Sequence, residues 1–306
     1  MAEPVTSSLE QAESRPGLII GVRHRSLSWW LKAIRAYPQL WIGAVVLAIL
    51  VGTAVFAPAL APYEPSDTDA TAILQTPSTA HLFGTDRLGR DTFSRVLYGG
   101  RVTLAVSFAA VLMSMLLGTA LGLISGYLGG WVDGLIMRVM DGLMAFPGLI
   151  LALTIAFALR PSLSSVIIAL AVVRVPGFAR LVRAQVLSLR TQEFILAAEV
   201  LGASQFRVIL RHILPNLVSI ILVQGSLSAG SVIFAEASLG FLGLSVPPPT
   251  PTWGRMLHDG YVYLEVNAWQ SIMPGTVIFL AVLAFNFLGD GLRDALDPQQ
   301  RRRRGI

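Results

Sequence analysis

Six stretches of this sequence are too apolar and too long for an ordinary soluble core. They cover residues 40–61, 103–128, 134–159, 162–182, 216–237 and 271–290. A bilayer's hydrocarbon layer needs roughly 20 apolar residues per helix. Within it every backbone N–H and C=O must find a partner inside the protein, which favours helices. The expected fold class is therefore an all-α integral membrane protein with six transmembrane helices. Charge content agrees: 13% of the residues are charged, against about a quarter in soluble domains.

The expected organisation follows from these spans. Residues 1–39 form a polar tail and an amphipathic segment. In the latter, Trp30, Ile34 and Tyr37 share a face away from Lys32 and Arg35, which suits a helix lying in the headgroup layer. The first span, 40–61, ends in Ala59-Leu60-Ala61, a signal-cleavage look-alike. Its apolar core is longer than a signal core and starts too late, so it is expected to be retained. A loop at 62–101 carries Pro62, Pro65 and Pro77, with a short helix expected over 91–100. Residues 102–292 hold the remaining five spans, and 293–306 are a basic tail ending in Arg301 to Arg304. Residues 238–270 read as a loop, because SVPPPTPTWG is too proline-rich for a helix.

Within the spans several residues stand out. Ala110, Ser114, Gly118, Gly122 and Gly126 recur every four residues, a pattern that lets helix backbones approach closely in lipid. It fits an interface with another subunit or packing inside this one. Arg138 and Asp141 are three apart, so they can pair on one helix face or lie at the membrane interface; Pro147 is expected to kink the same span. Arg174 and Pro176 interrupt the fourth span. Asp141, Arg174 and Glu236 are the candidate pathway or gate residues. For Arg174 the alternative is anchoring its span, and for Glu236 a hydrogen-bonded position at a helix end.

Between the fourth and fifth spans lies a polar interruption, EFILAAEVLGASQFRVILRHILP at 193–215. Phe194, Ile195, Ala198 and Leu201 fall on one face of a short helix. Gly202 suits a sharp turn, and Ser204 is placed to cap a second short helix. Phe206, Ile209, Leu210 and Ile213 make that helix's apolar face. Pro215 ends it or begins the next span. A helix–turn–helix of this kind at a membrane surface is a docking element.

Other chemistries are disfavoured by what the chain holds. It has no Cys and four scattered histidines, so neither thiolate nor paired-His metal chemistry is expected. Lys32 is the sole lysine and no glycine-rich loop surrounds it, so no P-loop is present. GTDRLGRD at 84–91 mimics the glycine spacing but ends in Arg90-Asp91, and an Asp there would repel phosphate. An ion-coupled secondary transporter would show inverted repeats and midplane ionisable groups; no convincing repeat is present. A membrane enzyme would need a reactive set, and no Ser/His/Asp set, paired-His motif or carboxylate dyad at membrane depth stands out; loss of a chemical activity on mutating His81, Asp141 or Glu236 would revive that reading.

Basic residues are distributed unevenly. Segments 1–39, 183–215 and 291–306 hold 14 Arg and Lys, and the opposite-side segments hold six. The excess places both termini and residues 193–215 in the cytoplasm, with the 62–101 and 238–270 loops outside.

At this point the residues resemble a known family. Ala197 and Ala198, Gly202 four residues on, then Leu214 and Pro215, all between two spans, are similar to the EAA loop of bacterial ABC importer permeases. HLFGTDRLGRDTFSRVLYGGRVTL (81–104), EFILAAEVLGASQFRVILRHILPN (193–216), AEASLGFLGL (235–244) and PPTPTWGRML (248–257) resemble the C-type permease of the dipeptide, oligopeptide and nickel importers. The resemblance runs over nearly the whole chain from residue 30. It implies a type I importer permease fold with a cytoplasmic coupling helix, and a non-catalytic subunit of a multi-pass complex in the bacterial inner membrane. Its implied cargo is di- or oligopeptides, with nickel chelates, haem or another small solute as alternatives. The implied partners are a homologous B-type permease, one or two ABC ATPase subunits that bind ATP and Mg, an extracytoplasmic substrate-binding protein and the lipid bilayer. No cofactor in this chain and no nucleic acid are implied. The implied ATPase-coupling residues are Phe194, Leu196, Ala197, Ala198, Glu199, Leu201, Gly202, Ala203, Ser204, Leu214 and Pro215. Leu196 departs from the pattern, because the family often has Glu there, and Glu199 is out of register to replace it.

Overall fold

The computed structural model describes residues 37–296; the amphipathic segment before Tyr37 and the Arg301–Arg304 run lie outside it. Among the described residues the regular structure is helical, with one isolated bridge between Thr85 and Asp91. Five helices are long and apolar enough to cross a membrane, and a pair bent by 93° meets the same test only when its two helices are taken together. They are α1 (Pro38–Val55), α3 (Thr92–Leu128), the pair α4 (Gly130–Met144) and α5 (Gly148–Ala158), α6 (Leu163–Arg190), α9 (Leu214–Phe241) and α11 (Trp269–Leu296). Short helices fill in α2 (Ala57–Leu60), α7 (Glu193–Val200), α8 (Gln205–Val208) and α10 (Trp253–Tyr261).

Four sequence expectations are corrected. The third span is broken, because Pro147 caps α5 and the chain turns by 93° there. The fourth span continues through Arg174 and Pro176 to Arg190. The helix expected over 91–100 is the first part of α3, started by Asp91, whose carboxylate accepts from the Ser94 amide at 2.7 Å. The 238–270 segment holds α10, which begins just after the prolines, with the Thr252 hydroxyl accepting from the Arg255 amide.

The small-residue stripe of α3 packs inside this subunit. A Cβ on Gly118 would lie 2.4 Å from Phe178 Cβ, one on Gly122 2.6 Å from the Ala179 carbonyl oxygen, and one on Gly126 2.8 Å from Val186 Cβ. Lacking Cβ atoms on that face, α3 lies against α6 for several turns. Adding a methyl there forces the helices apart. Gly122→Ala is expected to cost about 1–3 kcal/mol, read as an earlier thermal melt of the purified protein.

The two ends of α3 differ. At its start the 62–91 loop folds back over the bundle. Asp86 accepts from Arg90 Nε at 2.7 Å, and Arg95 stands 3.6 Å away. His81 and Asp91 meet at 3.0 Å. GTDRLGRD is thus a packed turn: a Cβ on Gly89 would overlap the Asp69 carbonyl. On the same side Trp253 is buried against Gly99 and Gly100, donating from Nε1 to the Val96 carbonyl at 2.9 Å. The other end of α3 meets the 193–215 segment.

Candidate functional site

The turn at Gly202 is built by backbone hydrogen bonds. Gly202 has φ +81°. Its N–H donates to the Glu199 carbonyl and the Ala203 N–H to the Ala198 carbonyl, both at 3.0 Å. These are the two bonds of a Schellman motif, which satisfies carbonyls that a helix end leaves without intrahelical donors. No heavy atom lies within 4 Å of a Cβ built on Gly202. Glycine is therefore required within this chain by conformation rather than by space.

Ile195 is fully buried and holds α7 to the bundle, in a cluster with Val182 and Val186 of α6, Val208, Ile213 and Leu217. Glu199, one turn later, accepts from the Tyr127 hydroxyl at 3.1 Å. The opposite face of α7 is bare. Phe194 and Leu196 are about half exposed, and Val200 and Leu201 are 88% and 87% exposed. Ala197 is exposed and Ala198 and Ala203 half-buried.

Part of the sequence-derived arrangement changes. Phe194, Ile195 and Leu201 do not share a buried face, since Ile195 alone of the three points inward. Ser204 occupies the N-cap position of α8, but its side chain makes no capping bond. The second short helix is not separate: α8 passes through a π turn at Ile209–Ile213 into α9. The wider turn precedes Pro215, whose ring conflicts with a regular α-helical turn behind it. Pro215 therefore stands in the first turn of α9, next to Leu214, inside a span that already starts at Gln205. The inward face there is Val208, Ile213 and Leu217, while Phe206 and Leu210 point outward.

Val200 is not among the docking residues expected from the sequence, and Phe206 shares an apolar face there with Ile209, Leu210 and Ile213. Like Leu196 and Leu201, both are exposed apolar residues flanking the turn. The signal was a short helix with more apolar residues than one buried face can use.

The pathway candidates do not converge. Asp141 pairs with Arg180 of α6 rather than with Arg138, which is exposed. Glu236 is fully buried and accepts from the Ser245 hydroxyl at 3.0 Å. Arg174 is half-buried in mid-α6. A pair that the sequence did not announce ties α4 to α6: Arg183 Nε and Nη2 reach the two Asp133 oxygens at 2.5 and 2.6 Å, and Ser125 donates to the same carboxylate.

Comparison with known proteins places this architecture. Residues 118–302 match the family described as "Binding-protein-dependent transport system inner membrane component". Residues 32–77 match "N-terminal TM domain of oligopeptide transport permease C". The chain is 46% identical over 260 residues to the dipeptide transport system permease protein DppC of Alkalihalophilus pseudofirmus, covering 85% of this chain and 86% of that one. It is 48% identical over 257 residues to the glutathione transport system permease protein GsiD of Shigella flexneri, covering 84% and 85%. A solved MetNI methionine ABC transporter, in inward facing conformations, superposes with a TM-score of 0.56 at 19% identity. That match covers 66% of this chain and 96% of the other, and shows a shared fold. The matched family and the near-full-length relatives agree with the helical membrane fold and the loop between its spans: the chain belongs to the binding-protein-dependent transport system inner membrane components, the non-catalytic permease subunits of ABC importers.

Proposed function

We propose that this chain forms half of the translocation pathway of an importer for di- or oligopeptides, and that residues 193–215 dock on its ATPase. The observation carrying the docking role is the exposed apolar face of α7 and its turn: Leu196, Val200 and Leu201, extended by Phe206. Apolar side chains so exposed at a helix turn are suited to burial against a partner. The small Ala197 and Ala198 let the helix seat deeply, and the Schellman turn fixes the two sides of the loop relative to each other. Glu199, Ala203, Ser204, Leu214 and Pro215 shape the loop from behind, and Phe194 flanks it.

The cargo assignment rests on the likeness to the dipeptide and glutathione permeases. In the proposed complex a B-type permease completes the pathway and one or two ATPase subunits bind ATP and Mg. An extracytoplasmic binding protein delivers the peptide. The arginine distribution supports cytoplasmic termini and a cytoplasmic docking loop. Arg174, half-buried at mid-span without an acidic partner among the described residues, is the pathway candidate we retain. Asp141, paired with Arg180, suits holding α4 to α6, and Glu236 is bonded to Ser245 in the loop after its own helix.

Two experiments test this. The complex in proteoliposomes, supplied with its binding protein, is expected to import defined dipeptides on ATP addition; no ATP-dependent peptide uptake would overturn the cargo assignment. Leu201→Asp or Val200→Asp is expected to leave the chain in the membrane with its partner permease. ATPase co-purification should fall by about 30-fold, the scale of an interface hot spot. Undiminished co-purification overturns the docking surface.

A further inference from the structure

Glu199 belongs to the loop by sequence and is exposed, yet its carboxylate is bonded to the end of α3. Ile195 and Glu199 are one turn apart on α7: Ile195 is buried in the apolar cluster, and Glu199, though exposed, accepts from the Tyr127 hydroxyl at 3.1 Å. Tyr127 is 6% exposed and sits at the last turn of α3. The Arg190 guanidinium lies 5.1 Å from its ring centre, and Arg190 also donates weakly to the Gly126 carbonyl at 3.4 Å. Arg190 thus lies against the ring, whose hydroxyl is bonded to α7.

The end of α3 is a consequential place to hold. The helix has 37 residues, about 55 Å at 1.5 Å per residue. Gly118, Gly122 and Gly126 press it against α6 with no room for a methyl, so it cannot shift sideways alone. Its start carries the Asp91 cap, Arg95 and the Trp253 contact at the far end of the bundle. A push on the end of α3 therefore reaches the opposite end through one continuous helix.

We propose that Glu199 and Tyr127 form a strut by which displacement of α7 moves α3, and with it α6, as one body. This rests on the docking role of the loop proposed above. Both are positioning residues: Glu199 works inward, while the docking contact is left to Leu196, Val200, Leu201 and Phe206.

The test uses the whole complex. The chain has no cysteine, so spin labels go on Leu128→Cys and Ile42→Cys, both exposed. Their separation reports the end of α3 against α1. ATP is expected to shift this distance in the parent and not in Tyr127→Phe. Peptide imported per ATP hydrolysed is expected to fall about tenfold in Tyr127→Phe, the scale of a hydrogen bond to a charged group. Glu199→Ala should match Tyr127→Phe. Glu199→Gln, which keeps an acceptor oxygen, should stay within about twofold of the parent. The double variant should be no worse than either single one. A general loss of stability lowers uptake and hydrolysis together and leaves their ratio unchanged.

A parent without an ATP-dependent shift overturns the docking role itself. A parent that shifts, with Tyr127→Phe shifting equally, overturns the strut. Should Tyr127→Phe fail to assemble, Glu199→Ala against Glu199→Gln decides, and equal behaviour of those two overturns it.

Discussion

Gly202→Val will leave the chain in the membrane and stop transport. The residue sits at φ +81°, a region costing about 1–2 kcal/mol for a residue with a Cβ and more for a β-branched one. The two Schellman bonds from Gly202 and Ala203 cannot both survive a return to negative φ. Because open space surrounds the position within the chain, the order of other variants separates two explanations. If conformation decides, asparagine, which tolerates the left-handed region, transports better than alanine. If bulk against a docked partner decides, alanine transports better than asparagine. Valine should be at least tenfold down in uptake in either case, with chain abundance near normal. Undiminished uptake in Gly202→Val removes the turn from the mechanism.

The second large effect concerns Arg183 and Asp133. Arg183→Ala leaves a carboxylate between α4 and α6 with Ser125 as its remaining partner. Breaking a buried pair by removing one member costs about 3–5 kcal/mol. Here the side chains are 33% and 19% exposed, so about 2 kcal/mol is expected, seen as a lower melting temperature and less assembled protein. Asp133→Asn should be milder, because its amide oxygen still accepts from Arg183. Restoration by the exchanged pair, Arg183→Asp with Asp133→Arg, would show that the contact acts through charge. Equal melting of Arg183→Ala and the parent would remove the pair from the stabilising set.

Where the sequence misled, it did so for identifiable reasons. Pro147 was expected to kink a span, but the chain breaks and re-caps there, because an X-Pro step disfavours helix before it and leaves a new start after it. Pro176 was expected to interrupt α6, yet the helix runs on. Its face carries buried Val175, Phe178 and Ala179, and packing on that face outweighs one missing hydrogen bond. Arg138 and Asp141 satisfied the spacing of a local pair, but Arg180 on a neighbouring helix took Asp141. Phe206 fitted an inward stripe drawn on a separate helix; the π turn ahead of Pro215 altered the rotation, and the residue faces out.

Five of the six apolar spans, the turn at Gly202, the missing phosphate-binding lysine and the motifs of the permease family were legible from residue order. Each depends on local chemistry: length against bilayer thickness, a positive φ that glycine accepts, a spacing of side chains. Which side chains meet was decided by tertiary structure. The stripe of α3 received Phe178, Val182 and Val186 because α6 came to lie along it, and Glu199 turned to Tyr127 because the end of α3 stops beside α7. Such contacts join residues 60 to 72 apart in sequence, and their geometry depends on helix rotation and crossing, which periodicity alone leaves free.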